Sequence, residues 1–88
     1  MQSTTITIIN KAGLHARAAS KLAQVTAKYS SDVRIGHSKM VDGKSILSLM
    51  MLAAVKGTEI TVEVEGDDEK QAMEAIVGLI NDRFGEPV

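Results

Sequence analysis

The chain has 88 residues, a formal net charge of −1 and no cysteine. That length supports one small domain with a modest core, so a large buried cofactor is excluded and any chemistry belongs near the surface. Without cysteine there is no disulfide, thiolate metal site or thiol nucleophile, which suits a reducing cytoplasm, and the near-neutral charge argues against general polyanion binding.

The opening Met1-Gln2-Ser3-Thr4-Thr5 has no cationic stretch followed by an apolar one, so no signal peptide is expected. Thr5-Ile6-Thr7-Ile8 alternates polar and apolar residues, as a half-buried strand does. Asn10-Lys11-Ala12-Gly13 breaks it. Residues 16–28 then read as a helix, with Ala19, Leu22, Ala23 and Thr26 on one face. Residues 32–35 form a second strand with Val33 and Ile35 inward, residues 36–39 a turn that leaves His37 solvated, and Met40-Val41 a short third strand. A second helix is predicted over 46–54, with Ser45 as its N-cap and Gly57 as a left-handed C-cap. The longest apolar run, residues 49–55, is too short to span a bilayer.

Residues 58–65 are the cleanest strand: Ile60, Val62 and Val64 point one way, and Glu59, Thr61, Glu63 and Glu65 the other. Asp68 and Gln71 have the spacing of a capping box for a last helix over 69–84, whose stripe is Met73, Ile76, Leu79, Ile80 and Phe84. Gly85-Glu86-Pro87 stops it. The acidic Asp67-Asp68-Glu69 is a helix start and lacks the spacing of a calcium loop. The order β-α-β-β-α-β-α, with strands apolar on one face, predicts a mainly antiparallel sheet covered on one side by helices. That is a two-layer α+β open-faced sandwich forming a single domain over residues 1–88.

The segment that carries chemistry is Gly13-Leu14-His15-Ala16-Arg17, between the first strand and the first helix. The opening N–H groups of a helix lack internal partners, and the dipole there favours negative charge, so backbone N–H groups at Ala16 and Arg17 suit an anion. Gly13 lets the backbone turn in. Arg17 adds a permanent charge and planar donors matched to phosphate oxygens. Neutral imidazole is a nucleophile near pH 7 without a strong base. His15 therefore suits a phosphoryl carrier. It suits a hydrolase less well, because no second histidine, carboxylate or metal cluster is seen near it to activate water. A histidine at a helix start is also a tolerated polar cap, and spacing alone leaves both readings open.

Gly13-Leu14-His15-Ala16-Arg17, with Lys44-Ser45-Ile46 and the element order, resembles the HPr family, the histidine-containing phosphocarriers of the bacterial phosphotransferase system. The resemblance covers essentially the whole chain. It implies four antiparallel strands with three helices on one face. It implies that enzyme I, charged by phosphoenolpyruvate, phosphorylates His15 on Nδ1, and that Arg17 attends the phosphoryl group. His15 then hands the group to the A component of an enzyme II. Such a carrier is a substrate of phosphotransferases, not an enzyme; it is cytoplasmic and monomeric and uses no cofactor or metal. Ala18 stands where the family usually has proline. It leaves one more N–H free at the helix start, and leaves a nitrogen-related or purely regulatory branch as the alternative to sugar transport.

Ser45 matches the family's regulatory serine, the target of an HPr kinase/phosphorylase where an organism has one. A phosphate at a helix N-terminus is stabilised by the dipole, and the cap role alone also accounts for a serine there. The second helix is apolar on nearly all sides, so part of it must be exposed; Leu49 and Leu52 are expected in the core and Leu47 outside. By resemblance Ile46, Leu47 and Met50 dock partners beside His15, with Lys21, Lys44 and Arg17 meeting charged partner surfaces. The same strand–helix order occurs in RNA-recognition modules. Those stack bases on strand aromatics, whereas this chain has one Tyr and one Phe, neither on a strand, and glutamates on the polar face. Nucleic acid and membrane are therefore not expected as partners. A ligand-binding regulatory domain of ferredoxin-like type is a third reading, for which the chain offers no pocket signal.

Overall fold

A computed structural model describes residues 1–88. The strands are β1 (Gln2–Thr7), β2 (Asp32–Gly36), β3 (Met40–Asp42) and β4 (Glu59–Glu65); the helices are α1 (Ala16–Thr26), α2 (Ile46–Met51) and α3 (Glu69–Asn81). A 3-10 turn, Arg83–Gly85, follows α3. The four strands form one antiparallel sheet in the order β1-β4-β2-β3. This is the expected α+β open sandwich.

The alternation in β4 decides the layering. Ile60, Val62 and Val64 are fully buried, and in register they meet Val33 and Ile35 of β2 and Ile6 of β1. On the other face Arg34 stands opposite Glu63 on one side and Asp42 on the other, so opposite charges face each other in register. α3 packs on β4 and β1, and α1 packs against α2 and α3. Ala18, Ala19, Leu22 and Ala23 of α1 join the core with Leu49, Ile76, Ile80 and Phe84. No helix is long and apolar enough to cross a membrane.

Several element ends differ from expectation. β1 begins at Gln2, because an edge strand is held by backbone bonds to β4 and needs no apolar alternation in its polar first half. α1 stops at Thr26, whose hydroxyl turns back to the Ala23 and Gly43 carbonyls.

α2 stops at Met51, not Ala54. Ala53 takes a left-handed φ of +51°, and the chain turns so that the Ala54 carbonyl accepts from the Leu14 N–H at 2.8 Å. Gly57 is therefore not the C-cap; its φ is +91°, and its N–H donates to Ile8 at the entry to β4.

The capping box does not form. The Asp68 carboxylate instead accepts from the Ser30 N–H, the Ser31 N–H and the Ser31 hydroxyl, tying the start of α3 to the entry of β2. α3 ends at Asn81, not Phe84. Arg83 and Phe84 have φ of +55° and +53°, which reverses the chain and folds the Phe84 ring into the core.

Candidate functional site

The site begins where β1 ends. Asn10 is fully buried in the loop that follows, and its Nδ2 donates to the Gly13 carbonyl at 2.7 Å. Gly13 has φ +69°, and a Cβ there would lie 2.5 Å from the Ala54 carbonyl oxygen and 2.9 Å from Val55 Cα. Only glycine lets this loop settle on the segment after α2, and that close approach aims residue 15 at the start of α1.

His15 is the N-cap of α1, with extended backbone, and its Nδ1 accepts from the Arg17 N–H at 3.2 Å. The ring is one-third exposed, at 34%. Its other nitrogen, Nε2, lies against the Glu86 carboxylate. The second oxygen of that carboxylate accepts from Asn10 Nδ2 at 2.9 Å. Bonding to Asn10 and then to His15 holds the Glu86 carboxyl below its usual range, so it is ionised at neutral pH. An ionised carboxylate only accepts, so Nε2 carries the proton. Nδ1, which accepts from a backbone N–H, carries the lone pair. The expectation that no carboxylate stands near His15 is therefore wrong. Glu86 is 71 residues away in sequence and read there only as part of a helix stop. Nothing in its local spacing points to His15; a chain reversal brings it there.

Arg17 is exposed in the same turn, and with Lys11, Ala12, Glu86, Pro87 and Val88 it lines a shallow surface depression of about 490 Å³. The depression has a cationic margin from Lys11 and Arg17. Ala16 is exposed beside it. Ala18 is fully buried, so the extra N–H that alanine keeps in place of proline does not face solvent. The last turn before the reversal is held from α1: Lys21 Nζ donates to the Phe84 carbonyl at 2.8 Å. Lys44 is likewise engaged, donating to the Tyr29 carbonyl at 2.8 Å. Both ammonium groups thus have a fixed partner inside the protein.

Ser45 is the N-cap of α2, its hydroxyl accepting from the Ser48 N–H at 3.2 Å. Beyond it Leu49 and Leu52 are buried, while Ile46, Leu47 and Met50 are exposed, Leu47 at 74%. Met51, at 82%, and Val55 extend the same apolar surface beyond the predicted set. Gly13 meets Ala54 and Val55, so the segment after α2 adjoins the His15 loop. His37 is exposed in the β2–β3 turn, and one ring nitrogen pairs with the Leu52 carbonyl at 2.9 Å.

Residues 2–82 match the family model described as the PTS HPr component phosphorylation site. The chain is 52% identical to the phosphocarrier protein HPr of Pseudomonas aeruginosa, over 98% of each chain. Among solved structures, an HPr from Thermoanaerobacter tengcongensis superposes with a TM-score of 0.96 at 42% identity over the whole of both chains. A structure described as an HPr dimer from the same organism matches with a TM-score of 0.78 over 98% of this chain and all of that one. A capping imidazole whose Nδ1 lone pair faces the helix start, the fold around it and these likenesses agree, and the chain belongs to the HPr family of phosphocarrier proteins of the bacterial phosphotransferase system.

Proposed function

We propose that His15 accepts a phosphoryl group on Nδ1 from enzyme I charged by phosphoenolpyruvate, and passes it to the A component of an enzyme II. The observation that carries this reading is the division of the imidazole: Nδ1 holds a lone pair at a helix N-terminus, and Nε2 is occupied by Glu86. The bond from the Arg17 N–H to Nδ1 is long, at 3.2 Å, and an arriving phosphorus displaces it. The Arg17 N–H then turns to a phosphoryl oxygen, and the exposed guanidinium meets the remaining charge. A partly exposed site at a helix start holds the group loosely, as a carrier must.

Docking falls to Ile46, Leu47 and Met50, whose exposed apolar surface adjoins the His15 loop. Lys21 contributes less than Arg17 to partner contact, since its ammonium is held by the Phe84 carbonyl. Ser45 is a regulatory phosphorylation site for an HPr kinase/phosphorylase. Its side chain already faces the first turn of α2, where added negative charge is favoured. The protein works as a single domain and a monomer in the cytoplasm.

The test is incubation of the purified chain with enzyme I and phosphoenolpyruvate. The expected product carries one acid-labile, base-stable phosphate. His15→Ala accepts none, and Arg17→Ala transfers more slowly, on the order of 10²-fold. Continued labelling of His15→Ala would overturn the assignment.

A further inference from the structure

Asn10 and His15, from one loop, and Glu86, more than 70 residues on, meet in one chain of contacts. The segment that delivers Glu86 is anchored on several sides. Phe84 is buried in the core, its carbonyl accepts from Lys21, the Val88 carbonyl accepts from the Lys11 N–H at 3.2 Å, and Arg83 Nη1 donates to the Pro87 carbonyl at 3.4 Å. The carboxylate is 16% exposed, held by the Asn10 amide on one oxygen and the imidazole on the other. It sits on the ring nitrogen opposite the one that reacts. Resting on the carrier reading above, we propose that Glu86 is a positioning residue that keeps the Nε2 proton on the His15 ring throughout the phosphoryl-transfer cycle.

The electron count makes the need clear. When Nδ1 attacks, its lone pair becomes the N–P bond, and the bond from phosphorus to the donor breaks with its pair staying on the donor. No proton moves. The ring then carries phosphorus on Nδ1 and hydrogen on Nε2, and so bears one positive charge. Glu86 supplies the matching negative charge at the protonated end, as the carboxylate of a catalytic triad does for its imidazolium. On onward transfer the N–P bond breaks, its pair returns to Nδ1, and the neutral ring with a protonated Nε2 is restored. A phosphorylated ring that loses the Nε2 proton is neutral and gives up phosphorus less readily.

Three cationic side chains stand at this corner, Arg17 and Lys21 from α1 and Lys11 from the loop before it, and Val88 at the end of the chain lies beside Lys11. Each cation would help expel a proton from the phosphorylated ring. The Glu86 carboxylate, in contact with Nε2, opposes them.

The test uses the full chain labelled with 15N-histidine, native and as Glu86→Gln, Glu86→Asp and Glu86→Ala, with unfolding temperatures recorded for each. In the uncharged native protein the neutral His15 ring should show one tautomer, with Nδ1 bare and Nε2 protonated. Glu86→Ala should show a mixture. After charging by enzyme I and phosphoenolpyruvate, the Nε2–H signal of the phosphorylated ring should persist to a pH about one unit higher in the native protein than in Glu86→Gln, with Glu86→Asp between them. Onward transfer from Glu86→Gln should fall off correspondingly earlier as pH rises. His37 is the internal reference and should not change. Indistinguishable tautomers in the native and Glu86→Ala proteins, or the same pH dependence in the native and Glu86→Gln proteins, with unfolding temperatures unchanged, would overturn the proposal. Failure of enzyme I to charge the native chain would instead overturn the carrier reading, and the tautomer comparison on uncharged protein would then decide the role of Glu86.

Discussion

The Lys21 ammonium donates to the Phe84 carbonyl oxygen at 2.8 Å, across 63 residues of sequence. The acceptor lies in the left-handed reversal after α3, two residues before Glu86. The tether therefore runs from the helix that begins at His15 to the segment that returns to His15. It links the stability of the reversal to the geometry of the site.

Replacing Lys21 with Met keeps most of the aliphatic stem and removes the donor. A charge-assisted bond at a half-buried position is worth about 1 kcal/mol here, which corresponds to a fall of roughly 4–8 °C in Tm for a domain of this size. Amide exchange at Gly85 and Glu86 should quicken more than exchange in β4. Equal exchange in the two proteins would show that the buried Phe84 ring and the remaining bonds hold the reversal without Lys21.

Gly13→Ala should destabilise the fold by about 3 kcal/mol. The left-handed backbone contributes ~1–2 kcal/mol and the forced contact ~1–3 kcal/mol. The added Cβ meets the Ala54 carbonyl at 2.5 Å, a backbone atom that cannot rotate away. Urea unfolding measures this directly, and a loss below 1 kcal/mol would mean the loop relaxes without strain. Phosphate acceptance should fall too, because the loop carries His15.

Asp68 titrates low, at about 2 against an ordinary 3.8, because the Ser31 hydroxyl and then the Ser30 N–H bond its ionised form. A depressed carboxylate contributes stability above its unfolded value and loses it as pH falls through its folded value. The urea midpoint should therefore drop between about pH 4 and pH 2, with Glu69 and Glu86, also held low, acting in the same direction. Asp68→Asn should be less stable at pH 7 and show a flatter slope across that window. An unchanged slope would remove Asp68 from the acid-sensitive set.

Leu47 and Leu49 are two residues apart and should behave oppositely. Leu47→Ser alters an exposed side chain and should shift stability by no more than ~0.5 kcal/mol. It should raise the KM of enzyme I for this protein several-fold. Leu49→Ala opens the core and should cost ~2–5 kcal/mol. Unaltered kinetics in Leu47→Ser would place the docking surface elsewhere, with Met51 and Val55 the next positions to change.

The strand over β4 was readable because period-two alternation of Ile60, Val62 and Val64 against glutamate and threonine is a local record of which face is dry. The same holds for the face of α1 and for Ser45, whose cap bond spans three residues. The length of α2 was not readable. Apolar residues continue to Val55, and hydrophobicity alone does not show that Ala53 adopts a left-handed backbone and bends the chain onto Leu14. Asp68 read as a cap for its own helix, yet its carboxylate is taken by serines 37 and 38 positions earlier.

The division at the candidate site follows the same physics. Imidazole, guanidinium and helix start lie within Gly13 to Arg17, so short-range spacing was enough to assemble them on paper. The partner of Nε2 was decided by folding alone. Bringing Glu86 to His15 requires α3 to lie across the sheet, Phe84 to enter the core and two non-glycine residues to reverse the backbone. The apolar stripe of the last helix marks Phe84 for the core, but the reversal at Arg83 and Phe84 leaves no periodic trace, and a contact across 71 residues depends on how whole layers pack.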